Sequence, residues 1–490
     1  MSSFAPAIVL AAFLAPALLY VWLAFTHRGE INSIRDFFPL TRFLSGGAYG
    51  RSTAAGGVSV ATVLLTLINL SPMLGLGLLV TIASYAASFA ILYFVASRIL
   101  KANPQNQTIQ AFLGTVYASK ATRVVSTFFS LIAYLSIFAT ELLVGATILT
   151  PFFGDHVLAF AGIYLVFIVC YSSISGFKAI VATEKWQIRF VVGAVLALLI
   201  FAPVLWISSG SHTSISALSQ KVFTGWVVPW SFFLGVLVMN LPAPISDAGT
   251  WQRLCSTRSE ADARRGLLKA ILLFVVIWGS LIFAGAYIAQ IGVASGSFDP
   301  LKSTLSDFIL NQMATPSPIY LLLLLMFVLG LFAAMITTAD SILMVATQLC
   351  AVDLLKLQTT TVEDSKKLRQ ARTVLIGIAV AAFTLFVIFR MAGLDTVQLI
   401  FSIYGAQLAM FPSVAAALFF RDRLDLSRFG KAAAASMVVG FVSAWASAIY
   451  GKVSGVLDWL YNAPVVALVS SALVLAVAIS IHQVFNGTRK

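Results

Sequence analysis

Residues 318–352 read PIYLLLLLMFVLGLFAAMITTADSILMVATQLCAV. The run holds a single charged side chain, Asp340. A helix rises about 1.5 Å per residue, so roughly 20 apolar residues cross a hydrocarbon core of about 30 Å, and this stretch is long enough to do so. Its centre is not inert. Thr337, Thr338, Asp340 and Ser341 form a polar knot where a lipid-facing helix would carry none. Adjacent hydroxyls beside a loosened carbonyl are hard oxygen donors, the ligand type that a small alkali cation needs. The plain alternative is that each hydroxyl bonds back to a carbonyl one turn earlier. Asp340 tips the balance, because an ionisable group inside a span is costly and by default marks a functional site.

The rest of the chain has the same character. It has 490 residues, 60% of them hydrophobic and 10% charged, too apolar for a water-soluble domain of ordinary composition. An all-α integral membrane protein is expected. Thirteen spans are predicted near residues 5–26, 51–72, 74–99, 122–150, 157–174, 185–209, 226–248, 265–292, 318–352, 370–392, 395–420, 429–451 and 463–483. The first has no basic residue before it, is longer than a signal-peptide core and is followed by His27 and Arg28, so it reads as a retained helix with its N-terminus outside. Basic residues should then crowd the inner loops. Of the 31 Lys and Arg residues, all but Lys221, Lys302, Arg390 and Lys452 fall on that side. This topology accounts for the net charge of +13 without nucleic acid as a partner. Cys170, Cys255 and Cys350 fall within spans or on the inner side, so no disulfide framework is expected.

No G-x-x-x-x-G-K-[ST] or H-E-x-x-H pattern occurs in the sequence, which leaves neither an ATP motor nor a recognisable metal enzyme. Two spans are interrupted. The second carries Ala54, Ala55, Gly56, Gly57, Val58 and Ser59; the seventh reads Asn240, Leu241, Pro242, Ala243, Pro244. They lie five spans apart. A five-helix inverted repeat, residues 48–209 and 226–420, would put the breaks at matching positions and free backbone carbonyls for a cation. Taken singly, glycines can serve close packing and prolines a simple kink.

The segment Phe332 to Leu343, FAAMITTADSIL, resembles the signature of the sodium:solute symporters, relatives of the sodium–glucose and sodium–proline carriers. SGFKAIVATEKWQ (Ser175 to Gln187) resembles the family's G-G-x-x-A-V-x-x-T-D-x-x-Q element, and TWQR followed by ARRG resembles the end of its seventh span. The resemblance covers residues 35 to 452. It implies a leucine-transporter-like 5+5 inverted-repeat core with one helix before it (5–26) and two after it (429–483). It also implies a sodium-coupled symporter, with Na+ as coupling ion, a small solute as cargo, and a place in the plasma or inner membrane. Carried over by position, the sodium site would use the carbonyls of Gly57, Val60 and Ala334 and the hydroxyls of Thr337 and Thr338. A second cation site would fall on Thr337, Asp340, Ser341 and Glu184, which stands where the family has Asp. Glu184 could instead pair with Lys185 or Arg189.

For the solute, the resemblance points to Ser59, Asn240, Glu141 and Gln407, with Tyr404 at plausible depth. Ala243 and Pro244 replace the aromatic gate of the sugar carriers. Glu141 could meet a cationic group, carry a proton, or simply bond to a neighbouring helix. Trp22, Trp226, Trp230, Trp251 and Trp459 read mostly as interfacial belts. A proton-coupled symporter of the same fold, and a sensor or channel-like protein, remain as alternatives; no catalytic constellation points to an enzyme.

Overall fold

The computed structural model describes residues 5–105, 107–209, 229–300, 302–357, 365–394 and 396–487. Lys221, Trp226, Arg489 and Lys490 lie outside the described residues. The main helices are α1 (Ala5–Thr26), α2 (Gly46–Gly56), α3 (Leu65–Leu74), α4 (Leu79–Ala102), α5 (Lys120–Phe153), α6 (Val157–Ser208), α7 (Trp230–Asn240), α8 (Ala243–Ser246), α9 (Ala248–Cys255), α10 (Glu260–Ala294), α11 (Pro318–Gln348), α12 (Ser365–Met391), α13 (Thr396–Gln407), α14 (Phe411–Phe419), α15 (Gly430–Ser454) and α16 (Ala463–Gly487).

Among the described residues ten helices are long and apolar enough to cross a membrane, and up to twelve spans result when each of two bent helix pairs counts as one. α6 adds another. Its 52 residues would reach roughly 78 Å as one rod, over twice the hydrocarbon thickness. It divides at Gly176, where φ is +56° and ψ −141°. A Cβ there would stand 2.3 Å from the Phe37 carbonyl oxygen, so the kink needs glycine both for its backbone and for its neighbour. Beside it, Ser175 Oγ donates to the Ala24 carbonyl at 2.5 Å, tying α1 to the kink. Splitting α6 gives thirteen spans, the number that the hydropathy runs predict.

α11 sits at the centre, and every residue from Leu331 to Leu349 is buried. A helix apolar on all sides belongs inside a bundle. α5 and α6 flank it, the latter so closely that a Cβ on Gly330 would meet that of Ala194 at 2.2 Å. Peripheral helices expose apolar stripes instead. Leu268, Leu272, Val276 and Phe283 of α10 face outward, as lipid contact requires.

The two bent pairs cross near this centre. α2 ends at Gly56, the chain turns at Gly57 and is extended at Ser59, a π-turn spans Val60–Leu64, and α3 resumes with a 64° bend. Ser59 Oγ caps the restart by accepting the Thr62 amide at 2.9 Å. In the second pair, Pro242 and Pro244 lack the N–H groups that would close on the carbonyls of Val238 and Asn240, so α7 stops. The main bend, 42°, comes later than the proline run suggests. It falls at Asp247, extended at φ −82° and ψ 123°, which caps α9 through the Thr250 amide at 2.6 Å. Asp and Thr in this order form a helix start that halts one axis and begins another.

Candidate functional site

The two breaks face one another across a cavity of about 230 Å³. Gly56, Gly57, Ser59 and Thr62 contribute one wall; Asn240, Ala243, Pro244 and Asp247 contribute the opposite one. α11 supplies Thr338 and Ser341, α13 supplies Tyr404 and Gln407, and Tyr134 projects from α5. Around these hydroxyls and amides stand the rings of Tyr85, Phe89, Phe232, Trp278 and Phe401.

The residues carried over for sodium gather where the first break meets α11. Gly57 and Thr338 lie on the cavity wall, while Val60, Ala334 and Thr337 are fully buried. Thr338 Oγ1 donates to the Ala334 carbonyl at 3.2 Å, the back-bond of an ordinary helical threonine. Thr337 behaves differently. Its hydroxyl is buried and has no hydrogen-bond partner among the described residues, a condition uncommon in folded proteins and one that calls for a ligand or water.

Glu141 lies behind this wall rather than on it. It is fully buried, accepts the Ser59 hydroxyl on one oxygen and the Val60 amide on the other at 3.2 Å. A carboxylate at the middle of α5 thus holds the restart of the first broken span. Of the other residues expected to meet solute, Ser59, Asn240 and Gln407 reach the cavity; Asn240 Nδ2 donates to Ser84 Oγ at 2.9 Å, and Gln407 Nε2 to Asp247 Oδ1 at 3.4 Å.

Glu184, Asp340 and Ser341 also come together, with an arginine among them. Arg253 NH2 donates to Glu184 Oε1 at 2.9 Å and to Ser341 Oγ at 2.6 Å, and its Nε to Ser52 Oγ at 2.9 Å. Asp340 accepts the Tyr171 hydroxyl, Gln187 Nε2 at 3.3 Å and Ser341 Oγ at 3.2 Å. The pairing of Glu184 with Lys185 or Arg189 is therefore replaced by one with Arg253; Arg189 stacks on the Trp186 ring at 4.7 Å instead. Arg253 itself belongs inside the protein, not in the loop where its charge suggested, since it is only 7% exposed. Trp251 is likewise no belt residue: it is 1% exposed, packs on Phe112 and donates its indole N–H to the Ile245 carbonyl at 2.7 Å. Trp22, Trp230 and Trp459 do face outward.

Sequence reasoning missed Asp247 and Arg253. Both sit on the second broken span, and the only local signal was the Asp-x-x-Thr start of α9.

The broken spans and their placement around one cavity define a leucine-transporter-like fold: an all-helical 5+5 inverted-repeat core with one helix before it and two after. The chain is similar in structure to a Na+-coupled sialic acid symporter in a substrate-bound outward-open state, with a TM-score of 0.78 over 97% of each chain at 16% identity. It is also similar to a manganese transporter of Eremococcus coleocola bound to an aromatic bis-isothiourea substituted compound, with a TM-score of 0.54, 13% identity and coverage of 91% of this chain and 99% of that one. MhsT in complex with L-phenylalanine gives 0.53 at 13% identity over 88% and 99%. No family model matches the chain, and no curated protein sequence matches it.

Proposed function

We propose that this chain is a sodium-coupled secondary active symporter of the sodium:solute symporter type, importing a small polar organic solute across the cell membrane by alternating access. The observation that carries the reading is the buried, unpartnered Thr337 hydroxyl beside Thr338, Ala334 and the break at Gly57–Val60. A buried hydroxyl oxygen without a protein partner, beside a helix break, is what a desolvated alkali cation can use. In this reading Gly57, Val60, Ala334, Thr337 and Thr338 hold sodium and so tie the first broken span to α11. The spans of residues 48–209 and 226–420 are the two repeats, 429–483 supplies the two following helices, the N-terminus faces outside and the C-terminus the cytoplasm.

One ion per cycle is the stoichiometry we infer. Glu184 and Ser341, half of the second cation set, are engaged by the Arg253 guanidinium, and a fixed cation beside Asp340 opposes a mobile one. The driving force suffices. At 100 mV one charge is worth about 2.3 kcal/mol, and a tenfold gradient adds about 1.4, together enough for several-hundred-fold accumulation.

The test is uptake of a pooled panel of labelled amines, amino acids, carboxylates, sugars and vitamins into proteoliposomes under sodium, potassium or proton gradients. Thr338→Ala should raise the sodium concentration for half-maximal uptake about tenfold, the effect of one lost oxygen ligand worth about 1.4 kcal/mol. Uptake that follows the proton gradient and ignores both sodium and Thr338 would transfer the coupling role to Glu141.

A further inference from the structure

One carboxylate on the cavity wall has no ion-pair partner among the described residues. Asp247 stands at the hinge of the second break, and every hydrogen bond it accepts comes from a neutral donor. The Tyr134 hydroxyl at 2.5 Å and Gln407 Nε2 at 3.4 Å reach Oδ1, while the Thr250 amide at 2.6 Å and hydroxyl at 2.8 Å reach Oδ2. No cationic side chain pairs with it among the described ion pairs. Arg253 also borders the cavity, but its charge is taken up by Glu184 at 2.9 Å. A carboxylate on the wall of a cavity between apolar spans, hydrogen-bonded to neutral groups and without an ion-pair partner of its own among the described residues, is costly, and such groups usually face a counter-ion or line a substrate path.

The surrounding walls are aromatic. Tyr85 and Trp278 stack with their centroids 4.5 Å apart, and Tyr134, Tyr404 and Phe401 complete the lining near the second break. Ring faces attract cations and offer an anion nothing. Glu141, the carboxylate that the sequence brought forward for a cationic group, is shut off behind Ser59 with both oxygens engaged. Asp247 also has both oxygens hydrogen-bonded, but it is partly exposed and borders the cavity. Its weakest bond, the one from Gln407, is the one that an incoming N–H would replace.

We propose that the cavity receives a solute bearing a protonated or quaternary nitrogen, with Asp247 as the counter-ion and the aromatic rings around it as the remainder of the cation's shell. The assignment rests on reading this cavity as the solute site. It makes simple carboxylates poor cargo, since the cationic side chain that borders the cavity among the described residues, Arg253, is engaged by Glu184.

The experiment uses the detergent-purified full chain, with thermal stabilisation and equilibrium competition as readouts. The probes are matched pairs: choline with its neutral tert-butyl isostere, putrescine with the corresponding diol, phenethylamine with phenylethanol, and acetate, lactate and glucose as unpaired members. At least one cationic member should bind and outcompete its neutral isostere. Asp247→Asn, which keeps an oxygen to cap Thr250, should weaken that cation about thirtyfold or more, and Asp247→Glu should restore part of the loss. Equal binding by the neutral isostere, unchanged affinity in Asp247→Asn, or binding by none of the cations overturns the assignment. Exchanging sodium for potassium at fixed solute separates the two readings: cation binding that ignores sodium refutes the coupling and leaves Asp247 as the counter-ion, whereas sodium-dependent binding of an anion or sugar does the reverse.

Discussion

The two broken spans meet across the same cavity yet are chemically unlike. The first, at Gly56–Ser59, offers backbone, small hydroxyls and the ring-packed Gly57, with its one associated carboxylate, Glu141, sealed behind it. The second, at Asn240–Arg253, brings charge to the cavity at two points, Asp247 at the hinge and Arg253 one helical stretch further on. In the proposed reading the two breaks do separate work. A neutral cradle of oxygens suits a bare ion that needs its hydration shell replaced, and a charged hinge suits a solute with a polar head.

The comparison can be broken most forcefully at Arg253. Arg253→Ala leaves Glu184 buried and uncompensated, which should cost about 3–5 kcal/mol, whereas the paired change Arg253→Met with Glu184→Leu should recover most of it. Thermal unfolding in detergent reads both; a stable single variant would mean that the charged half of the contrast is incidental. A Cβ on Gly57 would stand 2.4 Å from the Phe274 ring and 3.1 Å from the Tyr85 hydroxyl. Gly57→Val should therefore cost about 1–3 kcal/mol through overpacking and abolish sodium-dependent uptake. Gly249→Ala in the second break meets Asp247 Oδ2 at 3.2 Å, Val345 at 3.5 Å and Arg253 Nη1 at 3.8 Å, and should keep uptake within about twofold, a free-energy change of about 0.4 kcal/mol. If both variants fail alike, tight backbone approach is not peculiar to the first break. An effect between these two is expected at Ser59. Ser59→Ala removes the cap on Thr62 and one donor to Glu141, a loss of about 1 kcal/mol, seen as a lower unfolding temperature and, in flux assays, as weaker sodium activation.

How these halves were legible in the sequence follows the same division. Gly56–Gly57, the Pro242–Pro244 pair and the Thr337–Thr338–Asp340 knot announce themselves locally, because each violates the composition of an ordinary span within a few residues. The positions of Asp247 and Arg253 depend on partners far along the chain: Tyr134 lies 113 residues from Asp247, and Glu184 69 residues from Arg253. Hydropathy assigns Arg253, just past the 226–248 run, to a loop, and only the folded bundle returns it to the interior; Asp247 falls at the end of that run, where nothing nearby marks it as facing a cavity. Trp251 was misplaced for the same reason, since an indole at a span end reads as interfacial until Phe112 and the Ile245 carbonyl are seen around it. The bend at Asp247 was displaced by the prolines, which stop α7 without turning the axis most sharply.

The bond from Ser175 to the Ala24 carbonyl, with Gly176 pressed on the Phe37 carbonyl, bears on how the protein is made. The two residues are 151 positions apart. At about 5–20 residues per second of synthesis, α1 emerges roughly 8–30 s before the strand of chain that docks it. During that interval the helix rests in lipid without its partner, so the biogenesis machinery must either shelter it or tolerate it alone, and the glycine kink serves as the latch on which the earliest segment finally seats.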